Sequence, residues 1–289
     1  MTTLPRVRAP QSPARRAVRL VLRSPGALVG LALVLLCVLM AVFAPLVAPY
    51  DPVAYNPVDR MQGPSLDHLL GTDLYGRDLF SRVVYGARIS LSVSAISILL
   101  ALAMGGVLGA LAGFHLRWVD TLVMRLTDIL LAFPAILLAI ALLAFLGGGF
   151  WNLTLAIAVA YTAPFVRVVR ASVLRARREM YVEASTAVGA SDSRLLWRHV
   201  LPNASAPIIV EVTLRLAYAI LAEAALSFLG LGTPPPAPAW GQMIADGRPF
   251  LETNPWVSVG PGLAIMLVVL GFNLLGDGLR DALDPRLRS

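Results

Sequence analysis

The chain has 289 residues, of which 57% are hydrophobic and 14% charged, with mean hydropathy +0.74 and formal charge +7. Soluble domains carry about 25% charged residues, so this balance excludes an ordinary soluble fold and points to a bilayer as solvent. All 24 basic residues are arginine, and a Walker A loop needs a lysine to reach the phosphates, so any ATP used must sit on another subunit.

Residues 1–25 form a basic tail with Arg6, Arg8, Arg15, Arg16, Arg19 and Arg23 and no acid. Six apolar stretches follow at 26–47, 89–114, 122–146, 153–173, 206–231 and 257–275. Each is about the 20 residues that a helix needs to cross some 30 Å of hydrocarbon. The first is longer than the roughly 7–15 residues of a signal-peptide core and no clear Ala-x-Ala site follows, so it reads as an uncleaved helix. Residues 48–88 balance their arginines with Asp51, Asp59, Asp67, Asp73 and Asp78. Within them, 67–90 predicts a turn and a short surface helix leading into the second span, with Arg77 and Arg82 beside Asp73 and Asp78.

The second stretch repeats Ala101, Gly105, Gly109 and Gly113 at every fourth position. One face is nearly bare backbone, as close packing in lipid requires; Ser90, Ser92, Ser94 and Ser97 add hydroxyls. Pro134 and Pro164 interrupt the third and fourth stretches and permit kinks. Arg167 and Arg170 fall at the end of the fourth. The loop at 174–205 predicts a helix over 175–188, a left-handed turn at Gly189, and a second short helix capped by Ser191 or Asp192 and ended by Pro202. Pro234, Pro235, Pro236 and Pro238 stiffen a later loop.

Arginine bias orients the spans. The tail, the short loop with Arg117 and Arg125, the 174–205 loop and the 276–289 tail fall on the cytoplasmic side. Residues 48–88, 147–152 and 232–256 fall outside, which gives six spans with both ends inside. Cys37 is alone and has no intrachain disulfide partner. His68, His115 and His199 follow no metal-ligand spacing and read as loop residues. The arginines flank apolar segments without forming one patch, which speaks for membrane lipid and against nucleic acid.

Ionisable groups inside the membrane are costly and mark packing or transport sites. Glu211 and Arg215 stand four apart on one predicted helix and can pair; Glu223 lies two turns further, offset from them. Asn273 and Asp277 share the same spacing in the last span. Glu211, Arg215, Glu223 and Asn273 are therefore candidates for the translocation path or for interhelical hydrogen bonds.

Leu70-Gly71-Thr72-Asp73-Leu74-Tyr75-Gly76-Arg77-Asp78, Tyr181-Val182-Glu183-Ala184-Ser185 with Gly189-Ala190-Ser191 and His199-Val200-Leu201-Pro202-Asn203, and Glu223-Ala224 with Leu226-Ser227-Phe228-Leu229-Gly230-Leu231-Gly232 stand in this order. The ending Gly276-Asp277-Gly278-Leu279-Arg280-Asp281 follows them. Together they resemble the second permease of dipeptide and oligopeptide ABC importers, the DppC/OppC type of the peptide/nickel branch. One departure is Ser185, where the family has alanine; serine is as small.

The resemblance implies an all-α integral membrane protein of six transmembrane helices, a MetI-like permease core preceded by an extra N-terminal helix, in the cell membrane with both termini cytoplasmic. It implies a second permease of the DppB/OppB type, two ATPase subunits holding ATP and Mg, and an extracytoplasmic binding protein. No catalytic residue, metal or cofactor is expected in this chain. Glu183, Ala184, Ser185, Gly189 and Ala190 would form the helix that couples to the ATPase. Nickel or glutathione import by the same branch, or a proton-coupled transporter or channel of another class, are the alternatives.

Overall fold

The computed structural model describes residues 24–114 and 118–283. Residues 1–23 of the basic tail, His115, Arg117 and the last residues of the C-terminal tail lie outside them.

The regular structure of the described residues is helical, apart from one isolated bridge between Thr72 and Asp78. The principal helices are α1 (Pro25–Val42), α2 (Leu79–Phe114), α3 (Trp118–Leu131), α4 (Ala135–Leu146), α5 (Phe150–Arg177), α6 (Met180–Ala187), α7 (Ser205–Phe228), α8 (Trp240–Gly247) and α9 (Trp256–Leu283). By length and composition α1, α2, α5 and α9 are long and apolar enough to cross a membrane, and α3 with α4 makes a fifth if the pair is one span. The fifth predicted stretch is α7, a continuous helix of 24 residues that carries Glu211, Arg215 and Glu223 and is not among the helices that meet this length and composition test.

Three expected boundaries differ. The short surface helix and the second span are one helix of 36 residues starting at Leu79. The third span is broken by 89° between α3 and α4. Pro134 has no N–H and pushes Phe133 out of the helical region, so the helix restarts at Ala135. Pro164, by contrast, sits inside an unbroken α5, as Pro261 does in α9. The third difference is in the 174–205 loop. The helix expected over 175–188 breaks at Glu179, which is extended (φ −79°, ψ 142°), and Pro202 does not end a helix. It occupies the first turn of Leu201–Asn203, after a π-helical turn Leu195–Val200, a place where its missing N–H costs nothing.

Packing follows the small residues. A side chain at Gly105 would come within 2.6 Å of Phe165 Cβ and 2.7 Å of the Thr162 carbonyl; at Gly109, within 2.6 Å of the Val166 carbonyl. The stripe on α2 thus seats α5 against its backbone, and Ser97 donates to the Thr154 carbonyl across the same contact at 2.9 Å. α1 packs on α9 in the same way: a side chain at Gly30 would meet the Gly271 carbonyl at 2.6 Å. Ser24 caps α1 ahead of Pro25, a favoured N-terminal arrangement. At the other end, Arg88 of α2 donates to the Ala41 and Val42 carbonyls at 2.5 and 2.9 Å, supplying donors that the helix end lacks.

The segment between α1 and α2 is ordered around a buried ionic knot. Asp73 accepts from Tyr75 N at 2.8 Å, Arg77 N at 3.0 Å and Arg77 Nε at 2.6 Å, with Arg82 Nε 3.5 Å away. His68 is buried there, its Nδ1 3.0 Å from Asp78 Oδ1, so it is a packed knot residue and not an ordinary loop residue. Asn254, before α9, donates to the Met61 carbonyl at 2.9 Å, and α8 inserts Trp240, fully buried, whose Nε1 donates to the Val83 carbonyl at 2.9 Å.

Candidate functional site

At the end where α5 terminates, α6 hangs beneath the bundle by Val182, with the Tyr181 hydroxyl donating to the His199 carbonyl at 3.4 Å. Val182 is buried among Val169, Val173, Leu195, Leu196 and Val200, while Glu183, Ala184, Thr186 and Ala187 are exposed and Ser185 is half-buried. Met180 and Val188, at its two ends, are 83% and 85% exposed. The helix of eight residues buries Val182 and, with Met180 and Val188 exposed at its ends, leaves a surface that nothing among the described residues covers. A cavity of about 480 Å³ opens beside it, with Glu183, Thr186, Ala187 and Asp192 on its rim and Phe114 and Arg177 behind. Arg177 donates to the Phe114 carbonyl at 2.6 Å and so ties α5 to the end of α2.

The turn after α6 is the one the sequence predicts. Gly189 has φ +83°; its N–H donates to the Thr186 carbonyl at 2.9 Å, and Ala190 N donates to the Ser185 carbonyl at 3.1 Å. This double closure satisfies carbonyls that a helix end leaves free. Nothing lies within 4 Å of a side chain placed on Gly189, so the sign of φ, and not space, requires glycine. Ser191 precedes the next turn without capping it through its side chain.

The polar residues on α7 separate into two kinds. Glu211 and Arg215 pair at 2.6 Å, as their spacing predicts, and remain partly exposed at 15% and 28%. Arg215 lies about 15 Å along α7, with its guanidinium 5.8 Å from the Tyr161 ring and 5.7 Å from the Tyr218 ring. A cation over aromatic faces is favoured where water is scarce. Tyr218 is 53% exposed, so this pair borders an open face. Glu223 is fully buried: Ser227 donates to its Oε1 at 2.8 Å, and its Oε2 has no partner. It therefore sits inside the bundle and lines no open surface of this chain. Asn273 is half-buried on α9, with Asp277 exposed.

The structure also brings together ion pairs that spacing along one helix does not reveal. Arg170 of α5 binds Asp120 of α3 through two bonds of 2.5 and 2.6 Å, and Arg167 binds Asp128 at 2.8 Å. The only signal in the sequence was one acid just before and one inside the third apolar stretch, and two arginines in the fourth. Among the described residues, no group of His, Cys, Asp and Glu is placed to hold a metal ion.

Residues 105–289 match the family described as binding-protein-dependent transport system inner membrane component, and residues 12–64 match the N-terminal TM domain of oligopeptide transport permease C. The dipeptide transport system permease protein DppC of Alkalihalophilus pseudofirmus is 48% identical over 278 residues, covering 96% of this chain and 91% of that one. The di/tripeptide transport system permease protein DppC of Pseudomonas aeruginosa is 48% identical, covering 91% and 89%. The glutathione transport system permease protein GsiD of Pectobacterium atrosepticum is 44% identical, covering 100% and 97%. Among solved structures, the inward-facing MetNI methionine ABC transporter shares the fold with TM-score 0.60 at 19% identity, covering 71% of this chain and 98% of that one.

Proposed function

This chain belongs to the binding-protein-dependent transport family, the inner membrane permeases of ABC importers, and on that premise we propose that it forms half of the path by which di- and oligopeptides enter the cell. The single observation that carries the substrate class is similarity along nearly the whole chain to permeases named for dipeptides and di/tripeptides. The nearly equal similarity to a glutathione permease keeps to the same chemistry, since glutathione is itself a tripeptide. A second permease would complete the path, two ATPase subunits carrying ATP and Mg would dock beneath, and a binding protein would deliver peptide from outside. Both termini would face the cytoplasm.

In this reading α6 is the coupling helix. It is short, exposed, anchored by Val182 and rich in small residues, so it can enter a cleft in an ATPase as a rigid unit. Glu183 would make a charge-assisted contact there, and Gly189 and Ala190 would hold the helix at its angle to the bundle. Hydrogen bonds to charged groups contribute about 1.5–3 kcal/mol, so Glu183→Lys should weaken ATPase docking about tenfold or more while the membrane part folds. Co-purification of ATPase with the mutant permease, measured together with peptide uptake into proteoliposomes, checks this. Wild-type assembly and uptake in the mutant would remove the coupling role. Glu211 and Arg215 would border the path on α7, whereas Glu223 would hold the bundle.

A further inference from the structure

The ion pair between Asp128 and Arg167 has no assigned role. Its side chains are 52% and 53% exposed. Arg167 lies about 25 Å along α5, within a hydrocarbon layer of about 30 Å. Charges at that depth face protein or water and avoid lipid. α3 has a separate, mainly apolar stripe formed by Trp118, Leu122, Leu126 and Ile129, all exposed, with Arg125 as the exposed charge among them. At about 100° per residue, Asp128 points some 120° away from Leu122. On α5 the window is just as local: between positions 156 and 173 only Arg167 and Ala171 are exposed. The neighbouring pair, Asp120 with Arg170, uses both carboxylate oxygens and is 19% and 28% exposed, which makes it a fixed strut. Asp128 and Arg167 join one nitrogen to one oxygen and stand open.

We infer that Asp128 and Arg167 line the aqueous path and form a transient binding site for the charged ends of a passing peptide, Arg167 taking the carboxylate and Asp128 the ammonium. This rests on the peptide reading above. A zwitterion offers one charge of each sign, so each side chain exchanges one opposite charge for another and neither is left unpaired within the membrane, where a bare charge is costly.

Cys37 is the chain's one cysteine, so Cys37→Ala gives a cysteine-free permease, and labelling of this chain is read after it is separated from the other subunits of the assembled importer in proteoliposomes. In it, Asp128→Cys and Arg167→Cys should react with a charged, membrane-impermeant thiol reagent at least tenfold faster than Leu122→Cys or Leu126→Cys. Equal rates would overturn the assignment of the face. In peptide uptake, Arg167→Gln should raise the KM about tenfold, the loss of a charge-assisted bond. The neutral double variant Asp128→Asn with Arg167→Gln, which leaves no unpaired charge, should keep the complex assembled without restoring that KM. Full restoration by the neutral pair would show a strut and overturn the site. A wild-type importer that takes up no peptide would overturn the peptide reading and the ligand class with it, while the labelling rates would still decide the face.

Discussion

Replacing Gly189 isolates a purely conformational contribution to the coupling region. The residue sits at φ +83° with no atom within 4 Å of an added side chain, so the substitution meets no steric wall. The cost is that of a β-carbon in the left-handed region, about 1–2 kcal/mol, which shifts the population of the native turn by roughly 5–30-fold. The two bonds that close the turn, from Gly189 and Ala190 to Thr186 and Ser185, fix where Glu183 and Val188 point, so the population of the turn sets the fraction of permease competent to dock. Gly189→Ala should therefore weaken ATPase association by up to that factor in a titration of purified ATPase onto permease in nanodiscs. Gly189→Val should be worse, because a β-branched side chain tolerates positive φ least. Gly189→Asn should recover much of the loss, because asparagine visits this region readily. If alanine and asparagine weakened association equally, or if neither had an effect, the conformational argument would be refuted.

Gly109→Leu should disrupt the seat of α5 on α2, since even a β-carbon there would stand 2.6 Å from the Val166 carbonyl; detergent-solubilised permease should lose several degrees of thermal midpoint, whereas Gly106→Leu, which faces open space, should not. Asp73→Asn leaves Arg77 and Arg82 without their buried anionic partner, a loss of about 3–5 kcal/mol for a broken buried pair; hydrogen exchange should accelerate across 56–78, and unchanged protection would count against the knot. Reporter fusions after Pro57 and Pro238 should read outside and one after Ser193 inside, and an outside signal at Ser193 would reverse the topology.

Local chemistry carried a good part of this protein in its sequence. The apolar stretches locate the helices because a segment crossing hydrocarbon must satisfy its backbone internally. Gly189 was legible because the sign of φ is a property of one residue and its nearest bonds, and the Glu211–Arg215 pair because four residues along a helix fix the distance between side chains. The stripe from Ala101 to Gly113 announced a close contact, yet nothing in it named α5 as the partner. Pro134 marked a break, but the 89° between α3 and α4 comes from how each half packs. His68 reads as a loop residue until the chain closes and sets it against Asp78. Asp128 with Arg167 and Asp120 with Arg170 pair across 39 and 50 positions. Such contacts depend on how two helices rotate and slide against each other, and that is set by the whole bundle, beyond the reach of spacing rules that act within a turn or two of one helix.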